Sequence, residues 1–210
     1  MYKSNTFLEF ISKQAVAIYL PGYRNDKNEL SSLRKFLTKE KKISFFSLSY
    51  SLQDTNGKEY SIKEVISEIE KTIKSGLDRY HFKKCYLIGY SLGAALALKI
   101  VSRNLFQFDR LILLSIFDDR KGLLRERGID ISDDKNVSPI DLIKKIKKTP
   151  MVFIHGAFDA SIRTDRALKV YKESNSKKAR FILLPADHHF SGTGQKKLLQ
   201  EQLNEIIGCP

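Results

Sequence analysis

Residues 85–99, Cys85-Tyr86-Leu87-Ile88-Gly89-Tyr90-Ser91-Leu92-Gly93-Ala94-Ala95-Leu96-Ala97-Leu98-Lys99, decide the fold. Tyr86-Leu87-Ile88 is a short apolar run of the kind that forms a buried strand, and from Leu92 onward apolar residues recur at helical spacing. Gly89-Tyr90-Ser91-Leu92-Gly93 must turn sharply between them. Gly-x-Ser-x-Gly at a strand-to-helix turn is the pattern of a nucleophile elbow, where the serine hydroxyl stands clear of the sheet. The serine is expected to be strained. Glycine at 89 and 93 removes side chains that would meet neighbouring backbone. The helix's first amide, on Leu92, has no intrahelical acceptor and is a candidate oxyanion donor. The pentapeptide alone also fits an ordinary turn, so its surroundings carry the argument.

Working outward, six strand candidates alternate with helix candidates: Ala15–Leu20, Ile43–Ser49, Cys85–Ile88, Leu111–Leu114, Met151–Ile154 and Arg180–Leu184. Most are continuous apolar runs, as in parallel strands covered on both faces. In one intervening segment Ile62, Val65, Ile66, Ile69 and Ile73 share a face behind a Ser61/Glu64 capping box. The alternation predicts an α/β fold, a doubly wound, mostly parallel sheet of about six strands with helices on both faces. The site is then expected beyond the carboxyl ends of the strands. There is little room before Ala15 for antiparallel opening strands, and residues 1–14 read as a short helix with Phe7, Leu8, Phe10 and Ile11 for packing. Residues 1–210 are expected to form one domain, with 116–148 as a lid insertion. Its Leu123, Leu124, Ile129, Ile131 and Val137 either line an acyl pocket or hold the segment to the body.

A serine nucleophile needs a histidine base and a carboxylate to orient it. The chain has four histidines. His81 lies upstream of the elbow in a polar stretch and reads as a solvated surface residue. His155 ends an apolar run in His155-Gly156-Ala157-Phe158-Asp159 and reads as a structural group bonding to backbone. His188 and His189 follow the run ending at Leu184. Candidate acids are Asp159, Asp118, Asp119 and Asp187, the last read as a loop-stabilising group. The order Ser91, Asp159, then His188 or His189 suits residues on loops after successive parallel strands.

On these residues the chain resembles the α/β-hydrolase superfamily, its small single-domain esterases and thioesterases in particular, over roughly Ala15 to Ile207. The resemblance implies Asp159 as the acid, through a His-Gly-x-x-Asp loop. It implies His188 as the base in Ala186-Asp187-His188-His189-Phe190, with His189 the alternative if His-Phe is the signature. Pro21-Gly22-Tyr23 stands where such proteins have His-Gly-x, which implies the Tyr23 amide as second oxyanion donor beside Leu92. The implied chemistry is a serine hydrolase cleaving carboxylic esters or thioesters through an acyl-enzyme on Ser91, with no cofactor and no metal. Two rivals are an acyl-coenzyme A or acyl-protein thioesterase whose basic surface takes an anionic leaving group, and a non-catalytic binding protein on the same fold.

Apolar residues make up 42% of the chain, and no stretch approaches membrane-spanning length. Two cysteines point to a reducing compartment, and the polar start does not read as a signal peptide, so a cytoplasmic address is expected. Cys85 is expected to pack beneath the elbow, and Cys209 lies in a tail without a prenylation pattern. The net charge of +13, from 37 basic and 24 acidic side chains, would suit phosphate-bearing partners. The lysines are scattered, however, and the densest cluster, Lys144 to Lys148, is expected on an amphipathic helix. No nucleic-acid motif or phosphate loop accompanies it, which argues against a nucleic-acid partner. The expected partner is a small ester or thioester.

Overall fold

The computed structural model describes residues 7–23, 31–53, 56–57, 59–174 and 176–208. The apolar runs become strands: β2 (Ala15–Leu20), β3 (Ser44–Ser47), β4 (Lys84–Tyr90), β5 (Arg110–Leu114), β6 (Met151–Gly156) and β7 (Ala179–Leu184). β2 and β6 are buried along their whole length, so neither face of the central sheet meets water. The period-2 alternation of a strand then divides the core. Val16, Ile18 and Leu20 pack on one side, and Ala15, Ala17 and Tyr19 on the other.

The first layer is built by α2 (Ile62–Tyr80), α3 (Leu92–Ser102), α4 (Arg120–Arg125), α5 (Pro139–Ile143) and α6 (Thr164–Lys172). The second is built by α1 (Ser31–Lys35), continued as a π-helical turn over Phe36–Glu40, and by α7 (Thr193–Ile207). In α2 the expected capping box is present, and Ile62, Val65, Ile66, Ile69 and Ile73 are all buried. No helix among the described residues is long and apolar enough to cross a membrane.

The sheet has seven strands in the order β1-β3-β2-β4-β5-β6-β7. All neighbours are parallel except β1 (Phe7–Glu9), which runs antiparallel to β3 with Leu8 opposite Phe46. The expectation of a helix across residues 1–14 therefore fails where the chain is described. The edge of β3 offers unpaired backbone groups that a short strand satisfies. Ser44 Oγ fixes the next stretch by accepting from the Ile11 and Ser12 amides, at 2.9 and 3.1 Å. Residues 1–6 and Cys209 lie outside the described residues.

Between β5 and β6, the 116–148 segment is anchored rather than loose. Leu123 and Val137 join the core, whereas Ile129 is half exposed. The Lys144–Lys148 cluster is not on a helix: α5 ends at Ile143, and Ile146 alone of the cluster is buried. Cys85 is buried as expected, and burial pushes its thiol up to about 11.

Candidate active site

β4 runs straight into α3, and Ser91 is the residue between them. It holds φ 53° and ψ −117°, a conformation that L side chains rarely adopt. Such strain costs about 1–3 kcal/mol and persists only where the surroundings over-determine it. Here the Ser91 amide donates to the Leu114 carbonyl at 2.9 Å, and the Ser91 carbonyl accepts from the Ala94 amide at 3.0 Å. Both elbow glycines are required by close approach. A Cβ on Gly89 would lie 2.5 Å from the Ala94 Cα, and one on Gly93 would lie 2.1 Å from the Leu20 carbonyl oxygen and 2.3 Å from that of Pro21. The Pro21-Gly22-Tyr23 loop thus lies against the first turn of α3. Tyr50 holds it by donating its hydroxyl to the Pro21 carbonyl at 2.7 Å. Leu92 opens α3, where an amide has no acceptor inside the helix. The side chain of Tyr23 is largely exposed.

Asp159, on the loop after β6, meets His188, on the loop after β7. Its Oδ2 lies 2.7 Å from His188 Nδ1, and its side chain is fully buried. Its Oδ1 accepts from the Ser161 and Ile162 amides at 2.8 and 2.7 Å. Burial pushes the carboxyl up, but the His188 hydrogen bond, the His188 charge, the Ile162 amide and the His155 charge together outweigh it, leaving Asp159 below its ordinary 3.8. An ionised carboxylate accepts only, so His188 donates its Nδ1–H to Asp159. Gly156 lets these loops close: a Cβ there would lie 2.3 Å from the Ala186 carbonyl oxygen.

The other candidates are engaged elsewhere. Asp118 pairs with Arg166 and lies 3.6 Å from Lys169 Nζ. Asp119 caps α4 by accepting from the Gly122 amide at 2.6 Å. Asp187 accepts from the His189 and Ser191 amides and from the Ser191 hydroxyl, all within its own loop. His155 is buried and donates Nε2–H to the Ile162 carbonyl at 2.9 Å, which leaves its Nδ1 without a partner. Burial pushes its pKa below 6.5. His81 ends α2 in the left-handed region and is exposed. His189 is exposed and lies 2.7 Å, through Nδ1, from the Tyr90 hydroxyl.

The elbow and the histidine loop share one rim. The Tyr90 ring sits 5.2 Å from the His188 ring, and Ser115 donates its hydroxyl to the His188 carbonyl at 3.2 Å. Among the described residues no hydrogen bond joins the Ser91 hydroxyl to either imidazole; the contact made is the one between Asp159 and His188. These contacts of Tyr90 and Ser115 gave no signal in the sequence, because their partners lie 99 and 73 positions away along the chain. The described residues contain no cluster of three or more potential metal ligands.

The sequence matches no protein-family model, and no curated protein matches it. Solved structures do match. The Pyrococcus furiosus esterase Pf2001 aligns with a TM-score of 0.78 at 16% identity, over 99% of this chain and 91% of that one. Est1E from Butyrivibrio proteoclasticus, solved with ferulic acid bound, aligns at 0.76 and 13% identity, over 98% and 94%. A Paleococcus ferrophilus monoacylglycerol lipase aligns at 0.75 and 12% identity, over 98% of each chain. The fold is that of the α/β-hydrolases.

Proposed function

We propose that the protein is a serine hydrolase of carboxylic esters or thioesters. The observation that carries the reading is the fully buried Asp159 carboxylate on His188 Nδ1, at the same rim as a serine held at positive φ between strand and helix. The esterases and the lipase among the structural neighbours support the same class of reaction.

In this reading Ser91 Oγ attacks the substrate carbonyl carbon while His188 Nε2 takes its proton. Asp159 keeps the imidazole in the required tautomer and stabilises the imidazolium. The Leu92 and Tyr23 amides receive the oxyanion of the tetrahedral intermediate. Its collapse expels the alcohol or thiol, which leaves with the proton from His188. Water, deprotonated by the same nitrogen, then attacks the acyl-enzyme and releases the acid. His189 is held by the Tyr90 hydroxyl and takes no step.

The test is labelling by a fluorophosphonate probe together with hydrolysis of short 4-nitrophenyl esters. Ser91→Ala is expected to lose both while its circular dichroism spectrum is unchanged. His188→Ala is expected to lower kcat by about a thousandfold or more, and His189→Ala by far less. Turnover retained in Ser91→Ala would reject the nucleophile, and the reverse ranking of the two histidines would reassign the base.

A further inference from the structure

The lysines that lie scattered along the sequence are gathered by the parallel sheet. β3, β2, β4, β5, β6 and β7 run the same way, so the connections that enter them all open at one end, opposite the loops that carry Ser91, Asp159 and His188. The strand starts are nearly level: Ala15 lies beside Lys84, Val16 beside Ser44 and Met151 beside Ala179. With neighbouring strands about 4.8 Å apart, the row is about 24 Å long. Lys42 stands at the entry to β3, Lys83 and Lys84 at β4, the Lys144–Lys148 cluster at β6, and Lys177 and Lys178 at β7. All of these lysines are exposed.

Helix ends do not account for them. A cation at a helix carboxyl end answers the helix dipole, and α2, α3 and α6 already carry one in their last turns, Arg79, Lys99 and Lys172. Carboxylates do not account for them either. Among the described residues Lys144 pairs with Glu173, and no ion pair holds Lys42, Lys83, Lys84, Lys177 or Lys178. Of the acids at this end, Asp78 pairs with Lys74, Asp109 accepts from the Cys85 amide at 2.7 Å, and Glu40 and Glu205 are exposed. Asp26, Glu29 and Asp54, outside the described residues, belong to connections that leave the carboxyl ends of β2 and β3. Asp118, Asp119, Asp159 and Asp187 follow the carboxyl ends of later strands.

Apolar side chains stand among the lysines. Phe10, 46% exposed, stacks on Tyr80 at 5.4 Å between ring centroids and lies 6.2 Å from Phe82. Arg79 lies over the Tyr80 ring, and the Lys83 amide donates to the Lys13 carbonyl at 3.0 Å, so cationic residues flank the patch. Leu105, 58% exposed, lies on the connection into β5.

We infer that this end of the sheet is an interaction surface for an anionic lipid bilayer. The lysines meet the charged headgroups, while Phe10 and Leu105 enter the boundary between headgroup and acyl chain. A nucleic acid offers the same phosphates but no acyl layer for Leu105. Bound in this way, the protein keeps the loops of its candidate active site in water. The inference does not depend on the chemistry proposed at Ser91.

Co-sedimentation of the purified full chain with vesicles tests it. Binding is expected to phosphatidylcholine and phosphatidylserine mixed at about 3:1, and not to phosphatidylcholine alone. It is expected to weaken as salt is raised from about 0.1 to 0.5 M. Lys177→Ala/Lys178→Ala is expected to lower the affinity about tenfold. Lys196→Ala/Lys197→Ala makes the same change of charge in the first turns of α7, toward the opposite end, and is expected to change it by less than about twofold. Phe10→Ser/Leu105→Ser is expected to lose about fivefold at every salt concentration, with Leu105→Ser alone read if the pair alters the circular dichroism spectrum. No binding to the anionic vesicles, equal losses from the two lysine pairs, or no loss from the apolar variants overturns the inference. Displacement from the vesicles by duplex DNA at equal phosphate concentration overturns it in favour of a nucleic-acid surface.

Discussion

Ser91 keeps its unfavourable backbone conformation because neighbouring residues leave no other, and Gly93 is the one through which this can be tested. A Cβ at 93 would press on two carbonyl oxygens of the chain leaving β2, and backbone oxygens cannot rotate away as a side-chain end can. Gly93→Ala is therefore expected to destabilise the protein by about 1–3 kcal/mol in urea unfolding, as overpacking does. It should also lower kcat, since the loop it pushes carries the Tyr23 amide. Gly194, in the first turn of α7, has nothing within 4 Å of its missing Cβ. Gly194→Ala is expected to be neutral or stabilising by about 0.4–1 kcal/mol. Similar effects at the two positions would contradict the close approach. The same scale shows what a sequence can yield. The places of Ser91, Asp159 and His188 after successive strands were legible because each follows a short apolar run. His188, taken before His189 on the resemblance, is the one that Asp159 reaches; adjacent residues in a turn face different ways, and His189 lies against Tyr90.

The 116–148 segment is joined to the loop bearing Asp159 by side chains from several elements. Arg166 of α6 pairs with Asp118 before α4 and with Glu126 at its end. Arg127 donates to the Ser161 carbonyl, and the Ser161 amide donates to Asp159 Oδ1. Removing one partner of a buried pair strands the other. Asp118 keeps Lys169 at 3.6 Å and Glu126 is more than half exposed, so Arg166→Met is expected to lose about 1–3 kcal/mol of stability, with Asp118→Leu in the same chain recovering part of it. For comparison, Lys74→Ala breaks the Lys74–Asp78 pair, whose side chains are 70% and 63% exposed. It should cost about 0–1 kcal/mol. Equal losses from the two variants would show that the Arg166–Asp118 pair is solvated. Amphipathic α2 was readable in detail because its period and cap are local. Strand β1 was not, because three residues become a strand only where an edge such as that of β3 receives them.

Over the whole molecule, the excess of positive charge makes the carboxylates decisive at low pH. Glu9, Asp159 and Asp187 all sit below their ordinary values in the folded chain. For Asp159 the sign follows from the depressed folded value. The unfolded chain takes up the proton first, so the stabilisation is complete above the unfolded value near 3.8 and is lost as pH falls through the lower folded one. Over the same range the other acids are neutralised, and repulsion among the 37 basic side chains grows. Stability is therefore expected to fall steeply below about pH 4. Salt separates the two causes, because it screens exposed charges far more than buried pairs. In urea titrations from pH 7 down to pH 3, added chloride should flatten the part due to repulsion and leave a residual slope. Asp159→Asn should remove its share of that residual slope, since the amide has no proton to gain. A variant whose stability falls with the wild-type slope at high salt would mean that the Asp159 carboxylate is not held by His188 in solution.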